Sequence, residues 1–364
     1  VSSAAAEVSS AAAEVSSAAA EVSSAAAEVS SRSVVSVTAE DVAGLAEQLM
    51  SEMSDLFREY ADEAGHVGRH ELHEIGSAPR FAELSAKTAL LGRVDLSCTG
   101  PLGAHDDARL AFWLNVYNLI CMQGFAANAR QVPCSESTLA VLRMHSSFVY
   151  NIGGFSISAI EIEHAILRAS KPRPSFFIAF LIPKFSSHDP RRALAFSGLP
   201  SPLLSFGLVA GTAFSPPLRA YSAGAVHTQL AMNARAVLAT TIEVLDTTPS
   251  GSTSRSQWHA SAHHGATSLF PIASPQVLDT TPSRLHLSLP AQLRWHRADV
   301  GASVLDALTG PVLRPLLPPR IAGLLGAPAG LAPATAPATV AKTRWSNMSW
   351  LVRFEFAPAG EEYV

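Results

Sequence analysis

The sequence predicts an α+β fold, a mainly helical single domain around a central buried helix with short β-strands. The stretch Leu110–Gly124 is apolar on nearly every face, which suits a helix enclosed on all sides. Flanking segments repeat apolar residues three and four apart, the period of amphipathic helices. Short runs of aromatic and β-branched residues lie beside glycine turns, as strands do.

In chain order, residues 1–28 are four copies of Val-Ser-Ser-Ala-Ala-Ala-Glu, a seven-residue period with valine and alanine at the seam positions. Alanine buries little and the like-signed glutamates lack basic partners, so 1–37 reads as a low-complexity tail; a weak coiled coil would allow self-association through 1–28. Thr38-Ala-Glu-Asp41 has the form of a capping box, and Leu45, Leu49, Met53, Leu56 and Phe57 predict a helix to about Tyr60. A second helix is predicted from Ala78 to about Leu91, and the central one from near Asp106 to Gly124. Phe148–Phe155 reads as a hairpin around Gly153-Gly154, and Ser158-Ala-Ile-Glu161 caps a helix running to Arg168.

Residues 172–218 hold short apolar runs and turns. A further helix is predicted from His227 to about Val244. Val-Leu-Asp-Thr-Thr-Pro-Ser occurs at 244–250 and again at 277–283, bracketing a Ser/His-rich insertion at about 251–283. Leu285, Leu287 and Leu289 alternate as in a strand, a helix is predicted from about Ala291, and the domain is expected to span 38–300. Residues 301–342 read as a Pro/Ala-rich linker, and 343–364 as a C-terminal segment with a strand near 350–356.

Of the 364 residues, 48% are hydrophobic and 15% charged, and the net charge of −4 equals the four repeat glutamates. A body neutral in sum lacks the basic excess of a nucleic-acid surface. No uninterrupted apolar run reaches the roughly 18 residues of a membrane span, and the amino-terminal repeat has no leader-like stretch. Cys98, Cys121 and Cys134 offer neither a disulfide framework nor paired metal spacing. An intracellular location, no cofactor, no nucleic-acid or membrane partner, and an unspecified protein or small-molecule partner are the expectations.

Several segments in order carry a resemblance: Val94-Asp-Leu96, Leu110-Ala-Phe-Trp-Leu-Asn-Val-Tyr-Asn118, Ile152-Gly-Gly154 and Ile162-Glu-His-Ala-Ile-Leu-Arg168. Asp189-Pro-Arg191, Ser215-Pro-Pro-Leu-Arg-Ala-Tyr221, and Arg294-Trp295 with Asp299 complete the set. Over about residues 40–300 the chain resembles the domain-of-unknown-function 547 family, whose activity is unassigned. Many of its members are similar to one another in placing a histidine and a cysteine where this chain has Ser205 and Ser215. The resemblance therefore implies that a thiolate–imidazole pair at those positions is unavailable here.

Asn115 and Asn118, on an apolar helix, either orient a ligand or catalytic group or tie the helix to loop backbone. Glu163 and His164 are the acid/base candidates; neighbours on an α-helix diverge by about 100°, so a close mutual pair is not expected. The alternative for Glu163 is an ion pair with Arg191 or Arg219. Ser215 is the nucleophile candidate, although two prolines follow it and no strand–turn–helix elbow surrounds it. Arg219 could bind an anion or pair with a carboxylate. His259 and His263, four apart, are weak zinc candidates without a nearby third ligand. Two readings stand: a binding or scaffold module without thiol chemistry, or a hydrolase or acyl transferase using Glu163 or His164 with Ser215.

Overall fold

The computed structural model describes residues 39–63, 65–97, 106–131, 138–171, 182–211, 215–248, 284–289, 299, 304–325, 339–345 and 354–355. The heptad repeat, Cys98, Cys134, the insertion with His259 and His263, and the helix expected from Ala291 lie outside them, Asp299 excepted. All the described residues belong to the unit Ala39–Val364.

Helix α1 (Ala39–Glu59) packs its apolar stripe of Leu49, Met53, Leu56 and Phe57 into the core. After β1 (His66–Val67) come α2 (Arg69–Ser77) and α3 (Pro79–Lys87), the latter opened by proline in its first turn and tightening into a 3-10 segment, Thr88–Arg93. The central helix α4 (Asp106–Ala127) runs one turn beyond the expected end. Gly124 does not stop it: a side chain there would collide with the Phe148 ring, so this glycine serves close packing. By length and hydropathy α4 could cross a membrane, yet 89% of the relevant window is buried inside this fold. It is a core helix, enclosed because its side chains are apolar on all faces.

Helix α5 (Thr138–Ser147) leads into the antiparallel hairpin β2 (Val149–Ile152) and β3 (Phe155–Ser158), whose turn uses positive φ at Gly153 and Gly154. The capping box forms: Glu161 Oε2 accepts from the Ser158 N–H at 2.9 Å and the Glu161 N–H bonds Ser158 Oγ at 3.4 Å. Only the first turn, α6 (Ala159–Glu161), is α-helical. The chain then widens into a π-helix, Ile162–Leu167.

Helix α7 (Val226–Thr241) ends before the expected boundary, and Val244 lies instead in β4 (Glu243–Thr248). The β-branched, acidic run after Ile242 pairs antiparallel with β5 (Arg284–Leu289), which in turn pairs parallel with β6 (Thr339–Trp345). Strands β4 and β5 thus flank the insertion. Among the described residues, the expected terminal strand is represented by β7 (Phe354–Glu355), paired with β1.

One correction concerns the stretch read as a linker. Residues 304–325 fold into α8 (Val304–Thr309), a 3-10 turn and α9 (Pro319–Leu324). Leu308, Leu313, Leu316, Leu317 and Ile321 bury against Ala234, Val237 and Leu238 of α7. The leucines outweigh the prolines because they have an apolar helix face to cover.

Candidate functional site

Helix α4 is the scaffold. Asn115 donates from Nδ2 to the Tyr221 carbonyl at 2.7 Å and accepts the Tyr221 N–H at 2.8 Å. Asn118 does the same one turn on, donating to the Gly207 carbonyl at 3.0 Å and accepting the Val209 N–H at 2.9 Å. Both amides, fully buried, are thus bonded to loop backbone. Asn233 of α7 braces the same loops through the Phe206 and Pro217 carbonyls and the Tyr221 hydroxyl.

The opposite side of α4 meets the π-helix. Tyr117 Oη donates to Glu163 Oε2 at 3.3 Å, and His164 Nε2 stands 3.6 Å from Glu163 Oε1. The wider π-turn rotates less per residue than an α-turn, so the two side chains approach where an α-helix would separate them. Burial lowers the His164 pKa, with Arg168 and Lys184 adding to the effect against the attraction of Glu163. At neutral pH His164 is thus a neutral imidazole rather than the cation of an ion pair.

Arg191 does not pair with Glu163. It grips Asp189 at 2.9 Å and Glu161 at 2.9 Å. Arg219 bonds Asn233 Oδ1 at 3.1 Å. Arg168, on the turn after Glu163, meets Asp299 in a buried ion pair.

His145, which sequence reasoning passed over, adjoins this cluster, as does Cys121, which the sequence places mid-helix among apolar residues. Tyr117 shares a helix face with Cys121, and the phenol and the thiol stand close enough to perturb each other's ionisation. Burial pushes that thiol well above its usual range, and Cys121 is wholly enclosed. His145 of α5 packs edge-on to Tyr117 and Phe125, and its Nε2 bonds the Ala210 carbonyl at 3.2 Å. A carbonyl only accepts, so Nε2 carries the ring proton. No hydrogen bond joins His145 to Cys121. The spacing of Tyr117 and Cys121 could have signalled their shared face; nothing local marks His145.

Ser205 and Ser215 are both buried, Ser205 within a 3-10 turn, Leu204–Phe206, and Ser215 ahead of the prolines. Among the described residues no cluster of three or more metal-ligating side chains occurs.

A cavity of about 420 Å³ opens where the end of the π-helix faces the segment 184–197. Ala165, Ala169 and Ser170 form one wall, and Lys184, Phe185, Arg192, Ala195, Phe196 and Ser197 the rest. Lys184 Nζ donates to the Ala169 and Lys171 carbonyls at 2.9 and 2.7 Å. The far wall is pinned by the Phe196 N–H on the Ile166 carbonyl at 2.9 Å and by Arg109 on the Leu194 carbonyl at 2.6 Å. Both rings are backed by guanidinium groups, Arg109 4.3 Å from the Phe196 centroid and Arg191 4.6 Å from that of Phe185.

A mainly helical α+β domain that spends the asparagines of its central helix on loop backbone, with a buried acid–imidazole cluster beside an open cavity, is the class of protein these observations define. Residues 102–238 match the family described as Protein of unknown function, DUF547, and a domain of that family is present in this chain. No curated protein and no solved structure matches the chain.

Proposed function

We propose that this domain is a small-molecule-binding module that works without a thiol nucleophile. The cavity between the π-helix and the 184–197 segment carries the reading. Its volume lies in the range of small-molecule sites, roughly 300–1,000 Å³. Its walls are fixed from behind by hydrogen bonds and cation–π contacts, so it stands largely preformed. Cys121, the one cysteine among the described residues, is closed off from that space and held as a thiol. Asn115 and Asn118 serve the shape of the domain by clamping the loops that follow Gly207 and Ala220.

An acid–base enzyme is the second reading, favoured by the approach of Glu163, His164 and Tyr117 within the π-helix.

A cavity-filling variant tests the first. Ala195→Trp should leave the chain folded and remove binding of small apolar and polar fragments seen with the wild type by ligand-observed NMR. If every fragment signal persists in the filled variant, the cavity is not the binding site.

A further inference from the structure

We propose that the cavity selects small organic anions, molecules with a carboxylate or phosphate head and an apolar, ring-sized body. The inference rests on the binding-module reading and adds the ligand class.

The charges on the lining are of one sign. Lys184 and Arg192 contribute positive charge, and no carboxylate is among the described lining residues. Nearby acids are otherwise engaged: Asp189 and Glu161 hold Arg191, and Asp299 holds Arg168. Arg192 differs from its neighbour. Its backbone N–H is used on the Asp189 carbonyl at 3.0 Å, while its guanidinium makes no hydrogen bond or ion pair among the described residues. An exposed fork of five donors at the rim of a concave site fits a planar carboxylate or a phosphate face, which it can bind in bidentate fashion.

The remainder of the lining fits the body of the ligand. Phe185 and Phe196 supply ring faces, while Ala165, Ala169 and Ala195 leave room where larger side chains would fill it. Ser170 and Ser197 also line the cavity, and a serine hydroxyl can donate to a second anionic oxygen. An inorganic anion would leave the apolar walls uncovered, and a neutral ring would leave the guanidinium unanswered.

The test uses the full chain and four probes in calorimetric titration: 4-phenylbutyrate, phenyl phosphate, the neutral 4-phenylbutanamide and inorganic phosphate. Both organic anions should bind about tenfold or more tightly than the amide, the difference expected of a charge-assisted pair. Inorganic phosphate should bind more weakly than phenyl phosphate. Whichever organic anion binds more tightly identifies the head group. Arg192→Ala should cost the anions about tenfold and so bring them close to the level of the amide, which loses less; Arg192→Lys should recover only part of the difference. The side chain is exposed, so both variants should fold. Equal binding of anion and amide, or anion affinity indifferent to Arg192→Ala, overturns the inference while the binding-module reading stands. A chain that binds neutral fragments and none of the anions does the same. Fragment binding that ignores Ala195→Trp removes the reading beneath it.

Discussion

His145 is buried against Tyr117, Phe125 and Phe148, and burial holds its pKa down to about 4 from 6.5. Glu163 and the Ala210 carbonyl pull the other way and His164 adds slightly to the lowering, but desolvation wins. Between those two pKa values the unfolded chain holds a proton on this residue that the folded chain refuses. Stability must then fall as the pH drops through 6.5 towards 4 and be fully present above 6.5. Linkage over that interval gives a loss of about 2 kcal/mol by about pH 5, before most carboxylates titrate. His164 is shifted the same way and adds to the loss. Urea unfolding at about pH 7.5 and about pH 5 measures it, with His145→Gln as the control because its amide can still donate to the Ala210 carbonyl. The wild type should lose about 2 kcal/mol more than the variant over this interval. Equal losses in the two proteins would refute the argument that His145 is held neutral by burial.

Asn118→Ala should strand the Gly207 carbonyl and the Val209 N–H in the interior and cost about 2–6 kcal/mol in chemical denaturation, from roughly 1–3 kcal/mol per orphaned group; a cost below 1 kcal/mol on that same scale would mean the loop finds other partners. Glu163→Gln should lower stability by about 1–2 kcal/mol by disturbing a buried hydrogen-bonded carboxylate. An unchanged melting temperature together with lost turnover of a model ester, present in the wild type, would favour the enzyme reading instead.

Legibility in the sequence followed the physics of each element. Helix α4 is readable because enclosure on every side demands apolar residues on every face, and the Gly153-Gly154 hairpin because its turn needs positive φ twice over. The capping box at Ser158 is equally local. The π-helix is not, since 162–167 carries the same apolar spacing an α-helix would and the wider turn emerges only on packing beside Tyr117. Residues 304–325 were hidden for the opposite reason: local composition rich in proline suggests a linker, and only the apolar face of α7 gives the leucines somewhere to go. At the site, Glu163 and His164 stood out by chemistry, while His145 and the 184–197 wall depend on chain segments far apart in sequence.

The clamps made by Asn115 reach 106 residues ahead and those of Asn118 about ninety. At roughly 5–20 residues per second, a ribosome would need about 5–20 s to deliver those loops after α4 emerges. For that interval the greasiest segment of the chain has neither its amide partners nor its full apolar cover. Production of this domain in cells should therefore lean on holdase chaperones that shield nascent chains, and its yield should suffer first when they are scarce.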